Sequence, residues 1–240
     1  MIELITEQKQ IKIPIDSSFQ NIGLKMSGGA DSSLLAFILC KHLKNKVNFH
    51  AITLDNPLKP YQVNFAKSVI DWLENTFDIK FASHTNKMAS SEDALVDEQE
   101  LTLYQTYQKF NLDAHFIGVT ANPINYEENK ILTRTWKYRD TERDLTDNEY
   151  SEFDSYPLQD AVIFQNLNKP IPNSNITING FAPFSNVDKK AIAELYEHYN
   201  LIDTLFPMTR SCEAETNYFS KHCGKCWWCG EREYGFGRLQ

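Results

Sequence analysis

A glycine turn set between two apolar runs constrains this chain more than any other feature. The run from Ile22 to Met26 leads into Ser27-Gly28-Gly29-Ala30-Asp31-Ser32, and Leu34, Leu35, Phe37, Ile38 and Leu39 follow. That pattern predicts a buried strand, a tight turn, and a helix whose N-terminus faces the turn. Paired glycines let the backbone approach a ligand closely and tolerate positive φ. The first-turn N–H groups of a helix lack intrahelical partners and carry partial positive charge, which suits phosphate oxygens. Ser27, Ser32 and Ser33 add hydroxyl donors, and Asp31 is a carboxylate able to hold Mg²⁺. The turn reads as an anion cradle. The plainer alternative is a glycine turn with a capped helix and no ligand. Neither Gly-x-x-x-x-Gly-Lys-Ser/Thr nor Gly-x-Gly-x-x-Gly is present, so the two commonest phosphate-loop signatures do not apply.

Strand-like and helix-like segments alternate beyond the turn. Val47 to Leu54, Ile79 to Ala82, Ala114 to Val119 and Ile176 to Ile178 read as strands. Tyr61 to Phe77 and Ala94 to Phe110 read as helices, as does Asp188 to Tyr199 with Asp188 as its cap. Residues 127–156 are crowded with charged and aromatic side chains and lack a period, as befits a solvated excursion or a substrate loop. Alternation of this kind predicts a parallel sheet covered on both faces, with ligands beyond the carboxyl ends of its strands.

A net charge of −8 from 24 Lys and Arg against 32 Asp and Glu argues against a nucleic-acid backbone as partner. No apolar run approaches the roughly 18 residues of a membrane span, and residues 1–17 do not read as a leader. The expected compartment is the cytoplasm.

Of five cysteines, Cys40 falls on the apolar face of the first helix and reads as core. Cys212, Cys223, Cys226 and Cys229 cluster with ten, two and two residues between them. Four thiolates in overlapping Cys-x-x-Cys units suit tetrahedral Zn²⁺. An iron–sulfur cluster uses similar runs and is the rival; zinc is preferred because nothing else in the chain points to redox chemistry. Disulfides do not fit a reducing compartment. A structural zinc site contributes about 10–16 kcal/mol, comparable to the ~5–15 kcal/mol stability of a whole domain.

The Ser27–Ser32 string, placed between strand and helix, resembles the signature of the PP-loop ATP pyrophosphatases, which cleave ATP between its α and β phosphates to adenylate a substrate. Ser211-Cys212, then Cys223-Gly224-Lys225-Cys226, Cys229, Arg232 and Gly235-Phe236, resembles the C-terminus of one branch, the 7-cyano-7-deazaguanine synthases. Ala182-Pro183-Phe184 with Val187-Asp188-Lys189, the stretch His115 to Val119, and the helix from Tyr61 to Leu73 are similar to that branch as well. The resemblance implies an α/β, doubly wound, mostly parallel sheet of the adenine nucleotide alpha hydrolase type over residues 21–205. An N-terminal extension (1–20) would precede it and a small zinc-binding segment (206–240) would close the chain. It implies ATP, Mg²⁺ and Zn²⁺ as cofactors. Ser27, Gly28, Gly29, Ala30, Asp31 and Ser32 would bind pyrophosphate and Mg²⁺, with Gly118 beside them. Asp31 and Lys189 would carry catalysis, and Thr53 to Asp55 would lie near adenine or ribose. Cys212, Cys223, Cys226 and Cys229 would hold the zinc.

In this branch 7-carboxy-7-deazaguanine becomes an acyl-adenylate, ammonia displaces AMP to give an amide, and a second ATP drives dehydration to the nitrile. The implied partners are a small carboxylic acid and ammonia rather than nucleic acid or membrane, and a homodimer is compatible with them. Two segments depart from the branch pattern: Asp55-Asn56-Pro57-Leu58-Lys59-Pro60 and Thr120-Ala121-Asn122-Pro123-Ile124-Asn125-Tyr126. A tRNA-thiolating enzyme of the same superfamily and a repurposed ATP-binding homologue therefore stand as alternatives.

Overall fold

The computed structural model describes residues 1–57, 60–91, 93–121, 165–166, 169–170, 177–185, 187–212, 222, 224 and 227–240. The chain opens on an antiparallel hairpin, β1 (Ile2–Ile5) and β2 (Gln10–Ile13). Its alternation turns Ile2, Leu4, Ile11 and Ile13 inward, as expected of a half-buried strand pair. This hairpin is not evident in the sequence, where residues 1–20 read only as an extension.

β3 (Asn21–Lys25) then runs into the glycine turn, and α1 (Ala30–Leu43) leaves it. Eleven residues of α1 are buried, because a helix that is apolar nearly all round belongs inside. β4 (Asn48–Asp55), α2 (Gln62–Phe77), β5 (Ser83–Met88), α3 (Leu95–Phe110) and β6 (Ala114–Ile117) follow in strict alternation. Asp78 and Asn111 end the two helices in left-handed conformation, with φ of 52° and 50°, a helix-stop role that short polar residues tolerate. Beyond them lie β7 (Gln165–Asn166), β8 (Lys169–Pro170), β9 (Thr177–Ile178), β10 (Gly180–Ala182), α4 (Lys189–His198), a 3₁₀ turn (Phe206–Met208) and α5 (Trp227–Phe236).

The main sheet has the order β5-β4-β3-β6-β10-β7, with β7 antiparallel at one edge and the other five strands parallel. The chain moves outward from β3 through β4 to β5, then returns to β6 on the opposite side. The strand order thus reverses between β3 and β6, and ligands of open α/β sheets bind at that switch point. One large core joins Ile22, Leu24, Phe49 and Phe116 of the sheet to α1, α2, α4 and the hairpin. A smaller cluster on the other face joins Ile52, Leu112 and Ile178 to Leu103 and Tyr107 of α3.

Two strand assignments are corrected. Ile79 to Ala82 is the approach to a strand: Ile79 and Phe81 pack on the core, while the strand itself is Ser83–Met88. That edge strand reads Ser-His-Thr-Asn-Lys-Met and is wholly half-buried or exposed, so it carries no apolar run. Thr177–Ile178 pairs with β8 outside the main sheet; the central fifth strand is the three-residue β10, too short to leave a pattern. Ile176 and residues 127–156 lie outside the described residues. Among the described residues no helix is long and apolar enough to cross a membrane.

Candidate active site

The carboxyl ends of β3 and β6 bring the glycine turn and Gly118 together. Gly28 has φ +74°, and a Cβ there would sit 2.4 Å from Phe65 Cβ and 2.7 Å from Ala66 N. A Cβ on Gly118 would lie 2.6 Å from both Asp31 C and Ser32 N. The turn is therefore squeezed between α2 and the end of β6, and neither glycine has room for a side chain. Gly29 is the N-cap of α1, with no side chain to occupy the helix N-terminus. Ser27 Oγ accepts from Gly29 N at 3.2 Å and lies 3.1 Å from Ser32 Oγ. Arg210 N donates to Gly28 O at 2.8 Å, and Tyr196 OH donates to Ala30 O at 2.9 Å. Both flanks of the turn are thus fixed by distant chain.

Lys189, the first residue of α4, is 2% exposed, unlike most lysines, which are solvated. Its Nζ lies 2.5 Å from Asp31 Oδ2 and 3.3 Å from Glu231 Oε2. A cation is disfavoured at a helix N-terminus and costly when buried unpaired, so the two carboxylates are what keep it there. Arg210 supplies a second buried cation, its guanidinium stacked 3.9 Å from the Tyr61 ring centroid. These groups converge on a cavity of about 210 Å³ whose walls include Ser27, Asp31, Tyr61, Lys189 and Arg210. An adjoining cavity of about 420 Å³ shares Ser27, Ser32, Gln62 and Gly118 with it and is floored by Met26, Ile52 and Leu54. A more open hollow of about 650 Å³ lies at the opposite edge, against Gln20, Asn48 and Asp78.

Sequence comparison decides between nucleotide-binding branches of this architecture: the family model described as Queuosine biosynthesis protein QueC matches residues 23–240. The chain belongs to the QueC family. Enzymes of the QueC family are ATP-dependent carbon–nitrogen ligases, and the matched span includes the turn, Lys189 and the cysteine-bearing tail. No curated protein matches the chain. Among solved structures it is similar to the U34-tRNA thiolase NcsA from Methanococcus maripaludis with its [4Fe-4S] cluster, at 13% identity and a TM-score of 0.43. That likeness covers 76% of this chain and 58% of the thiolase chain.

The remaining residues expected at a QueC-family site are placed unevenly. Ser27, Gly29, Ala30, Asp31, Ser32, Gly118 and Lys189 all line the smaller cavity. Thr53 and Asp55 are buried and have structural partners. Thr53 Oγ1 donates to Met26 O at 2.7 Å, which fixes the strand end just before the turn. Asp55 accepts from Val63 N at 3.0 Å in the first turn of α2; burial pushes its carboxyl up, against the pull of backbone bonds from Val63 and Gln62. Cys212 and Cys229 are buried, and Tyr61 OH donates to Cys212 O at 2.8 Å. Cys223 and Cys226 lie outside the described residues, and no metal-holding group occurs among the described ones. Arg210, Tyr61 and Glu231 were missed in the sequence. The only signal for Arg210 is its place two residues before Cys212.

Proposed function

We propose that this QueC-family chain is a 7-cyano-7-deazaguanine synthase, using ATP and ammonia to convert 7-carboxy-7-deazaguanine to its nitrile. The observation that carries the reading is the pairing of buried Lys189 with Asp31 at the side-chain-free N-terminus of α1, in one cavity. The first-turn N–H groups of α1 and the Ser27 and Ser32 hydroxyls would take the β and γ phosphates. Lys189 and Arg210 would offset the negative charge that builds on departing pyrophosphate. Asp31 would hold Mg²⁺, which when bound shields phosphate charge. The adjoining cavity falls within the usual 300–1,000 Å³ of small-molecule sites, and its apolar floor with the amides of Gln62 and Gln99 suits a flat heterocycle.

The acid's oxygen attacks the α-phosphorus, pyrophosphate leaves, and ammonia then expels AMP to leave an amide. In the second round the amide oxygen attacks the α-phosphorus of another ATP and pyrophosphate leaves, and departure of AMP with loss of both N–H protons closes the nitrile. Positioning and fixed charge can supply this catalysis without a protein nucleophile. The buried thiols of Cys212 and Cys229, with Cys223 and Cys226, have the soft donor character of a closed structural Zn²⁺ site. Such a site would brace the tail and take no part in the reaction.

Purified protein given ATP, Mg²⁺, ammonium and 7-carboxy-7-deazaguanine is expected to release AMP and a product lighter than the acid by the difference between carboxyl and nitrile. AMP release with no mass change in the acid would overturn the substrate assignment. Formation of ADP would overturn the reaction class.

A further inference from the structure

Glu231 is the most deeply buried carboxylate among the described residues, at 1% exposure. Neither of its oxygens accepts a hydrogen bond, which is costly for a buried anion unless a cation stands beside it. That cation is Lys189, 3.3 Å away and also held by Asp31 at 2.5 Å. Arg232, the next residue, turns its guanidinium to Thr209, Ser211, Phe206 and Leu239. Lys189 itself has little freedom, because Gly235 of α5 presses on it: a Cβ at Gly235 would lie 2.6 Å from Lys189 O and Cγ. One ammonium is thus divided between a carboxylate of the glycine turn and a carboxylate of the C-terminal helix.

We propose that Glu231 is a positioning residue of the nucleotide site, holding the Lys189 ammonium when Asp31 turns to the divalent cation that accompanies the ATP phosphates. The inference rests on the reading that the Ser27–Ser32 turn binds ATP with such a cation. A carboxylate cannot serve both partners at full strength. With Lys189 buried, releasing Asp31 would strand an ammonium away from water unless another anion already faced it. Glu231 is that anion. The trio carries one more negative charge than positive, and an incoming divalent cation offsets that excess.

The test is calorimetric binding of the non-cleavable α,β-methylene analogue of ATP while Mg²⁺ is titrated. In Glu231→Gln the Mg²⁺ concentration for half-saturation is expected to rise about tenfold, the scale of coupling between close buried charges. In turnover, KM for Mg·ATP should rise more than kcat falls. Because Glu231 acts through Lys189, the double variant K189M/E231Q should match K189M alone. An unchanged Mg²⁺ dependence in E231Q, or the same shift with and without Lys189, would overturn the proposal. If melting shows E231Q unfolded, Glu231→Asp replaces it; its shorter reach should give a smaller rise, and no rise would be equally fatal. Failure of the wild-type protein to bind the analogue at any Mg²⁺ concentration would overturn the nucleotide reading, and this inference with it.

Discussion

Asp31→Asn is expected to cut ATP-dependent AMP release by about 100- to 1000-fold, the loss typical when one charge-stabilising group leaves a polar reaction centre. Asparagine keeps the shape and some hydrogen-bonding capacity of the side chain but cannot neutralise a cation. The fold should survive, because Lys189 keeps Glu231 at 3.3 Å and the Ser27, Gly28 and Ala30 contacts of the turn do not involve the Asp31 carboxylate. AMP quantified by chromatography, beside a thermal melt of the same sample, checks both halves. Undiminished AMP release would remove Asp31 from the chemistry. Lost activity together with a collapsed melt would reduce it to a structural residue.

The largest effect on stability is expected at Arg232, not in the turn. Arg232 is fully buried, with Nε donating to Leu239 O at 2.8 Å and its terminal nitrogens to Thr209 Oγ1, Ser211 Oγ and Phe206 O at 2.9, 3.2 and 3.0 Å. Its guanidinium carbon sits 3.8 Å from the Phe206 ring centroid. Burial pulls its pKa down to about 10, so it remains charged at neutral pH. Arg232→Met removes four hydrogen bonds made by a buried cation, though Phe206 O keeps the Thr209 N–H and hydroxyl as donors, and should cost about 3–5 kcal/mol. In a chain of this size that is a fall of roughly 10 °C in the melting midpoint. Arg232→Lys keeps the charge but cannot span four acceptors, and should fall between the two. Denaturant melts read both; a midpoint unchanged in the Met variant would show that the clamp contributes nothing. Arg232 also ties the chain from Phe206 to Ser211 to α5, and Arg210 in that stretch holds Gly28 O. The clamp therefore reaches the glycine turn through one intervening residue.

Legibility in the sequence followed how local each determinant is. The turn, α1, α2 and the Asp188 cap of α4 were readable because they rest on short-range patterns: paired glycines, apolar periodicity, and a carboxylate one residue before a helix. Asp188 does accept from Lys190 N at 2.8 Å, as its position predicts. It also binds Gln8 of the hairpin and Tyr234 of α5, which no local pattern announces. β5 was displaced because edge strands need no apolar face, and β10 was missed because three residues carry no period. Arg210 and Glu231 were missed for a further reason. Charged side chains are usually solvated, and only the tertiary arrangement shows that these two are buried against Tyr61 and Lys189. Conversely, Thr53 and Asp55 sit at the expected strand end, yet spend their polar atoms on Met26 and on the start of α2.

In the proposed reaction, ATP is broken between its α and β phosphates at the turn between β3 and α1 to adenylate a carboxylate. Exchange of labelled pyrophosphate into ATP, with ammonium left out, measures that step alone. Label is expected to enter ATP only when 7-carboxy-7-deazaguanine is present, and to be lost in Asp31→Asn. Exchange without the acid, or no exchange with it while ATP is consumed to ADP, would contradict the claim.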